Sequence, residues 1–181
     1  MKSFWEQRLG DYFNVRFSPY YNRLSDLIGL TVSNTGIRQF QNQGNADAHG
    51  LETLLTGHYR DVEARLSHTY QQMSAGQTAS NVPLHMVKLN LSAPIWRNVV
   101  FASVEVQHVS SRRTVKQATS SDYTIANLVL FSKHWLPGLE LTGGLYNVFD
   151  EAYTDPASPP ILPDVVSQDG RNLRIRLSYE F

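Results

Sequence analysis

The sequence predicts an all-β chain of antiparallel strands of the kind that cross a membrane as a β-barrel. Three observations lead there. Apolar and polar residues alternate with a period of two in run after run, tight turns and long polar loops take turns in joining the runs, and no stretch of eighteen apolar residues offers a helical span. A mean hydropathy of −0.32 fits this reading as well as a soluble one, because a barrel strand gives only every second residue to lipid.

Taken in chain order, the first run sets Phe13, Val15 and Phe17 against Asn14, Arg16 and Ser18, and a later one sets Val62, Ala64 and Leu66 against Glu63, Arg65 and Ser67. Val87, Leu89, Leu91, Ala93 and Ile95 alternate with Lys88, Asn90 and Ser92. Val100, Ala102, Val104 and Val106 alternate with Ser103, Glu105 and Gln107, while Met86, Val99 and Phe101 break the pattern. Leu139, Leu141, Leu145 and Phe149 stand against Glu140, Thr142 and Gly144. The final run has no exception: Leu173, Ile175, Leu177, Tyr179 and Phe181 on one side, Arg174, Arg176, Ser178 and Glu180 on the other. These runs predict eight strands, near 12–32, 37–57, 61–74, 84–94, 98–112, 121–134, 138–149 and 170–181.

Turn residues at 59–61, 94–98 and 135–138 predict tight connections, and the polar stretches 75–83, 112–121 and 150–169 predict long ones. Short turns at one end and long loops at the other is the asymmetry of outer-membrane barrels. Threading back from Phe181 puts Trp135, Trp96 and the start of the first strand near Trp5 at the short-turn rim, as an interfacial aromatic girdle requires. On the final strand, Arg171, Arg174, Arg176 and Glu180 are expected to face the lumen, since Arg facing mid-bilayer lipid costs about 2–4 kcal/mol.

Composition narrows the function classes. There is no cysteine, which removes disulfide scaffolds, thiolate metal sites and cysteine nucleophiles. Sixteen basic against sixteen acidic residues give zero net charge, so no global field draws nucleic acid. No phosphate-binding glycine loop, nucleophile elbow or set of nucleophile, base and orienter is present, so the chain is not expected to be an enzyme, and no cofactor is expected. His49 and Glu52 have a helical ligand spacing, but on a strand an odd separation puts them on opposite faces. His58, His68, His85, His108 and His134 are scattered over different strands, and interfacial or lumen polar roles are expected of them.

Several segments carry a resemblance. Asn147-Val148-Phe149-Asp150, followed by Tyr153 and Asp155-Pro156, is similar to the Asn-Leu-Phe-Asp, Tyr, Asp-Pro stretch of TonB-dependent receptors, with Val148 in place of the usual Leu. Gln168-Asp169-Gly170-Arg171 and the closing strand to Phe181 resemble that family's Gln-x-Gly-Arg ending and aromatic terminus. Upstream, Phe40-Gln41-Asn42-Gln43-Gly44-Asn45-Ala46 with Gly50-Leu51-Glu52 is similar to the family's Asn-x-Gly-x-Ala and Gly-x-Glu strand, and Pro83 with His85 resembles its Pro-x-His, in the same order. The resemblance covers nearly the whole chain.

The resemblance implies a carboxy-terminal part of a barrel, about the last eight of roughly twenty-two strands, spanning residues 1–181 without the plug domain and the earlier strands. It implies residence in the bacterial outer membrane and uptake of a scarce ligand such as a ferric siderophore or cobalamin, with energy reaching the receptor from TonB through the absent plug. This stretch alone is not expected to transport. Asn147, Phe149, Asp150, Tyr153, Pro156, Gln168, Gly170 and Arg171 are its motif residues, and Tyr179 and Phe181 resemble the signal read by the barrel-assembly machinery. Arg112, Arg113 and Lys116, with Asp155, are candidate external-loop contacts to an anionic chelate or to lipopolysaccharide phosphates, and a solvated loop explains the same basic cluster. Outer-membrane lipid is the remaining partner. Two other readings stay open: a free-standing eight-stranded barrel acting as an anchor or adhesion protein, and a soluble β-sandwich binding module with its aromatics buried.

Overall fold

The computed structural model describes residues 3–32, 37–42, 44–74, 80–114, 116, 118–132, 137–157 and 163–180. Among these residues all regular structure is strand: β1 (Trp5–Leu9), β2 (Phe13–Leu24), β3 (Ile28–Val32), β4 (Arg38–Asn42), β5 (Ala46–Tyr59), β6 (Val62–Ser74), β7 (His85–Trp96), β8 (Val100–Val109), β9 (Arg112–Arg113), β10 (Thr119–Ser120), β11 (Tyr123–Ser132), β12 (Leu139–Tyr146), β13 (Thr154–Pro156), β14 (Val165–Ser167) and β15 (Asn172–Tyr179). Nine of them make one sheet in the order β1-β2-β5-β6-β7-β8-β11-β12-β15, and β3–β4, β9–β10 and β13–β14 are separate two-stranded hairpins. Each strand of the large sheet is antiparallel to its neighbours, and β1 and β15 are its two edges.

The sheet has one strand more than the eight expected. β1 is short, and Gln7 interrupts its apolar positions Trp5 and Leu9, so its alternation is too weak to stand out. The two long strands expected at 12–32 and 37–57 are each broken. Asp26 and Gly44 take left-handed backbone angles, φ 55° and 85°. The Leu27 amide donates to the Gly44 carbonyl at 3.0 Å, and Asn42 donates to Asp26 Oδ1 at 3.1 Å. That clasp interrupts the ladder of β2 and β5, and β3–β4 pair beyond it as a hairpin of their own.

The register shows what the alternation does. Val15, Leu55, Leu66, Leu89, Val106 and Ala126 lie in one row across the sheet, and Gly57, Ala64, Leu91, Val104, Leu128, Leu145 and Leu173 in the next. These rows form a continuous apolar outward face. Ile175 and Leu177 on β15 remain 72% and 66% exposed, so this face meets no second layer of protein. A sandwich would bury it, and that reading fails. The opposite, inward face carries Arg65, Asn90, Glu105, Asn127, Arg174 and Arg176. Phe101, one of the residues that broke the pattern, also points inward, where it stacks on Phe131 with ring centroids 5.3 Å apart.

The two ends differ as expected. Connections at 10–12, 60–61 and 97–99 are tight, and those at the other end are longer in sequence and hold the three small hairpins. Trp96 sits at the short-turn rim. Trp5 does not: it pairs with Phe17, four positions up from the Leu9–Phe13 pair that closes the β1–β2 turn. Trp135, His134 and Phe181 lie outside the described residues.

Candidate functional site

Two regions have organised polar structure: the inward face of the large sheet and the rim of long loops above it. On the inward face the alternation puts one polar residue on each of three neighbouring strands at the same height. Asn90 on β7 donates to Ser103 Oγ and Glu105 Oε1 on β8, each at 3.3 Å, and Asn127 on β11 donates to Glu105 Oε2 at 3.3 Å. The row continues to the Asn147 amide, which donates to Asn127 Oδ1 at 3.0 Å. Toward the β1 edge, the Arg16 guanidinium holds Glu6 Oε2 through Nη2 at 2.7 Å and Nε at 2.9 Å. Arg174 lies over the Tyr146 ring at 5.1 Å. The wall is polar and carries both signs of charge, suited to water or to another polar surface. Parity alone gives the face of each of these residues, but the register that joins Asn90, Glu105 and Asn127 comes only with the fold.

The motif residues after β12 converge on a single turn. Asn147 has φ 49° and is 3% exposed. Its side chain donates to the carbonyls of Glu151 at 2.9 Å and Asp169 at 3.3 Å, and accepts from the Glu151 amide at 2.9 Å. Asp150 (φ 57°) accepts from the Arg171 amide at 2.7 Å. A side chain at Gly170 would place its Cβ 2.7 Å from that same Asp150 oxygen, so the carboxylate would have to shift from its place on the Arg171 amide. The turn leaving β12 and the chain entering β15 are thereby tied together. Gln168 takes part through its amide, which donates to the Tyr153 carbonyl at 3.1 Å. Phe149 is 78% exposed, and the Arg171 side chain is exposed as well.

Above this turn, Arg112 is 7% exposed and joins three loops. Its Nη1 donates to Asn81 Oδ1 at 3.0 Å, and its Nη2 to Asp155 Oδ1 at 2.6 Å and the Thr154 carbonyl at 3.3 Å. The guanidinium carbon lies 5.5 Å from the centre of the Tyr123 ring, while Nε is buried without a hydrogen-bond partner. Ser120 Oγ donates to the same Thr154 carbonyl at 3.1 Å. Pro156 is buried in β13, and Tyr153 packs on Tyr123 with ring centroids 4.4 Å apart. Burial raises the Tyr153 phenol above its ordinary pKa, and the carboxylates of Asp155 and Asp169 push the same way. Of the four candidate loop residues, then, the fold brings Arg112 and Asp155 together as a pair. Arg113 and Lys116 are exposed, and the Lys116 amide donates to Asp164 Oδ1 at 3.2 Å. Asn81, Ser120, Tyr123 and Thr154 complete this knot, and sequence reasoning did not single them out.

His49 and Glu52 fall on opposite faces: His49 pairs with Tyr21 and Gln72 in the outward rows, and Glu52 pairs with Ser18 and Thr69 in the inward ones. No helix among the described residues is long and apolar enough to cross a membrane.

The description "TonB dependent receptor-like, beta-barrel" matches residues 4–148. The chain belongs to the TonB-dependent receptor family. Solved structures bear out the fold. The ferric preacinetobactin receptor BauA from Acinetobacter baumannii superposes with a TM-score of 0.73 at 17% identity, over 99% of this chain and 29% of that one. The apoprotein of the FrpB iron transporter from Neisseria meningitidis gives 0.77 at 14% identity, over 99% and 30%. The copper transporter OprC gives 0.76 at 16%, over 99% and 31%. This chain thus spans about 30% of the length of the receptors it matches. No curated protein matches it in sequence. TonB-dependent receptors are outer-membrane proteins, and the neighbours are named as transporters and receptors, not as enzymes.

Proposed function

We propose that this chain supplies the closing strands of an outer-membrane TonB-dependent receptor that takes up a scarce ligand, a ferric siderophore or cobalamin, and that it works as channel wall and outer rim without catalysing a reaction. The observation that carries the reading is the pairing of a continuous apolar outward face with a continuous polar inward one, in a sheet that ends in two unpaired edges. In lipid an unpaired edge leaves backbone groups unsatisfied at several kcal/mol each, so the sheet needs more strands beside it. In this reading the plug and the strands preceding β1 belong to a longer polypeptide, TonB acts through that plug, and Tyr179 and Phe181 address the barrel-assembly machinery. Arg113 and Lys116, exposed on the loop rim, are the candidates for contact with an anionic chelate or lipopolysaccharide phosphate.

Strand parity argues against self-closure into a small anchor barrel. Nine successive antiparallel neighbours leave β1 and β15 running in the same direction, so pairing them would make a parallel seam. Single-chain bacterial barrels close with an even number of antiparallel strands. The partner sheet must bring an odd number.

Uptake tests the proposal. In cells lacking their own receptors, labelled ferric siderophores and cobalamin are offered to the chain alone and to the longer reading frame that carries it. TonB-dependent accumulation with the longer frame only is expected. If no such frame exists, or if the chain alone enters the outer membrane as a monomer whose gel mobility changes on heating, the receptor reading is wrong and the small barrel replaces it.

A further inference from the structure

The outward face changes character near the long-loop end. Above the apolar rows, His68 pairs across with Val87, and Val87 pairs with His108 on the far side, while Tyr70 pairs with His85. His68 on β6 and His85 on β7 are therefore diagonal neighbours on one face, a spacing within reach of imidazole rings. His68 Nε2 lies 3.1 Å from His85 Nδ1, the rings are nearly parallel (11°, centroids 5.4 Å apart), and the Tyr70 ring backs His85 at 5.3 Å. Both histidines are half-buried.

We propose that His68 and His85 form a two-imidazole site for a divalent transition-metal cation, Cu2+, Ni2+ or Zn2+, on the outward surface at the upper border of the apolar band. Imidazole is the ligand type these metals share. At a metal–nitrogen bond of about 2.0–2.1 Å, two nitrogens 3.1 Å apart subtend roughly 100° at the metal, between the cis angle of a square-planar site and the tetrahedral angle. Small rotations of the two rings bring both lone pairs to one point. In the present contact one of the facing nitrogens carries a hydrogen; on binding, that proton moves to the other nitrogen of its ring, and no net proton is lost. The neighbours in register, Leu51, Thr53, Leu66 and Val87, carry no charge to oppose a cation. Among the described residues no three His, Cys, Asp or Glu side chains converge, so water fills the remaining positions and binding is exchangeable. The site faces away from the barrel interior, so it is present whether the sheet stands alone or within a larger barrel, and it does not depend on what the receptor transports.

Copper titration of the full chain in detergent micelles, followed by electron paramagnetic resonance, tests this. One Cu2+ with two nitrogen ligands is expected. His68→Ala and His85→Ala should each reduce the signal to one nitrogen and weaken binding at least about tenfold, since even losing a residue that supports a ligand costs that much. His49→Ala, on the same face but outside the pair, should change nothing. Because the ring contact itself holds the strands, His85→Gln is run beside His85→Ala, with the β-sheet circular dichroism of each variant as the folding check. Copper affinity that survives substitution of both histidines in folded protein, or that falls as much in His49→Ala, overturns the proposal.

Discussion

The two rims of the sheet are built differently. At the short-turn rim the backbone does the work: Gly10, Arg60, Arg97, Asn98 and Gly138 all take positive φ, between 47° and 75°, and the ladder closes through bonds such as Val99 N to the Trp96 carbonyl at 2.9 Å and Glu180 N to the Gly138 carbonyl at 2.8 Å. The side chains there lie open, with Arg60 over Tyr59 and Arg97 over Trp96 at 5.4 and 5.3 Å. At the long-loop rim, side chains hold together segments far apart in sequence, Asn147 and Arg112 from buried positions and Asp150 from an exposed one. Asn147, Asp150 and Arg112 bond to residues up to 43 positions away. A two-residue turn closes on itself, whereas a loop of twenty residues needs a cross-tie to be one structure. Substitutions should therefore be costly at the upper rim and nearly silent at the lower.

The largest effect is expected at Arg112. Arg112→Ala leaves the Asp155 carboxylate, Asn81 and the Thr154 carbonyl without their shared donor. Breaking a buried pair costs about 3–5 kcal/mol, and because Asp155 is about one-third exposed the cost should fall to about 2–3 kcal/mol. Hydrogen exchange should show the amides of β9, β10 and β13 losing protection together while β6 and β7 keep theirs. Arg112→Lys, which can reach Asp155 but cannot span all three loops, should fall between. Loss confined to β9 alone would mean that the loops are not one unit. Asn147→Ala comes next. It removes three hydrogen bonds at a buried site and puts a Cβ-bearing residue without a polar side chain at φ 49°, for about 2 kcal/mol, measured as earlier heat-dependent unfolding; Asn147→Asp keeps the acceptor and should lose about half as much.

The same contrast explains what was legible in the sequence. The period of two reports which face a residue takes, and it reports it wherever the strand is long: Leu173 to Tyr179 and Val87 to Ala93 could be placed from their residues alone. The family motif placed Asn147, Asp150 and Gly170 on a list without saying that they touch. β1 was hidden because five residues at a sheet edge offer two apolar positions. The break at Asp26 and Gly44 was hidden because apolar residues recur beyond it, in Ile28 and in Phe40, and a hairpin that pairs separately keeps the same alternation as a strand that runs on. Arg112 looked like part of an exposed basic cluster with Arg113 and Lys116. Whether such an arginine is solvated or buried depends on Asn81 and Asp155, which lie 31 and 43 residues away, and no local pattern records that distance.

The smallest effect is the sharpest check on the comparison. Arg60 and Arg97 hold left-handed backbone at φ 51° and 47°, a conformation that costs a residue with a Cβ roughly 1–2 kcal/mol more than glycine. Arg60→Gly and Arg97→Gly relieve that cost but give up a cation–π contact of about 0.5–1 kcal/mol and add freedom to the unfolded chain. These terms oppose each other, so each variant should unfold within about 0.5 kcal/mol of the parent, by urea titration in the same detergent. A loss above about 1.5 kcal/mol would show that the exposed arginines, and not the turn backbone, hold this rim. The two ends of the sheet would then be stabilised in the same way, by side chains, and their difference would be one of loop length alone.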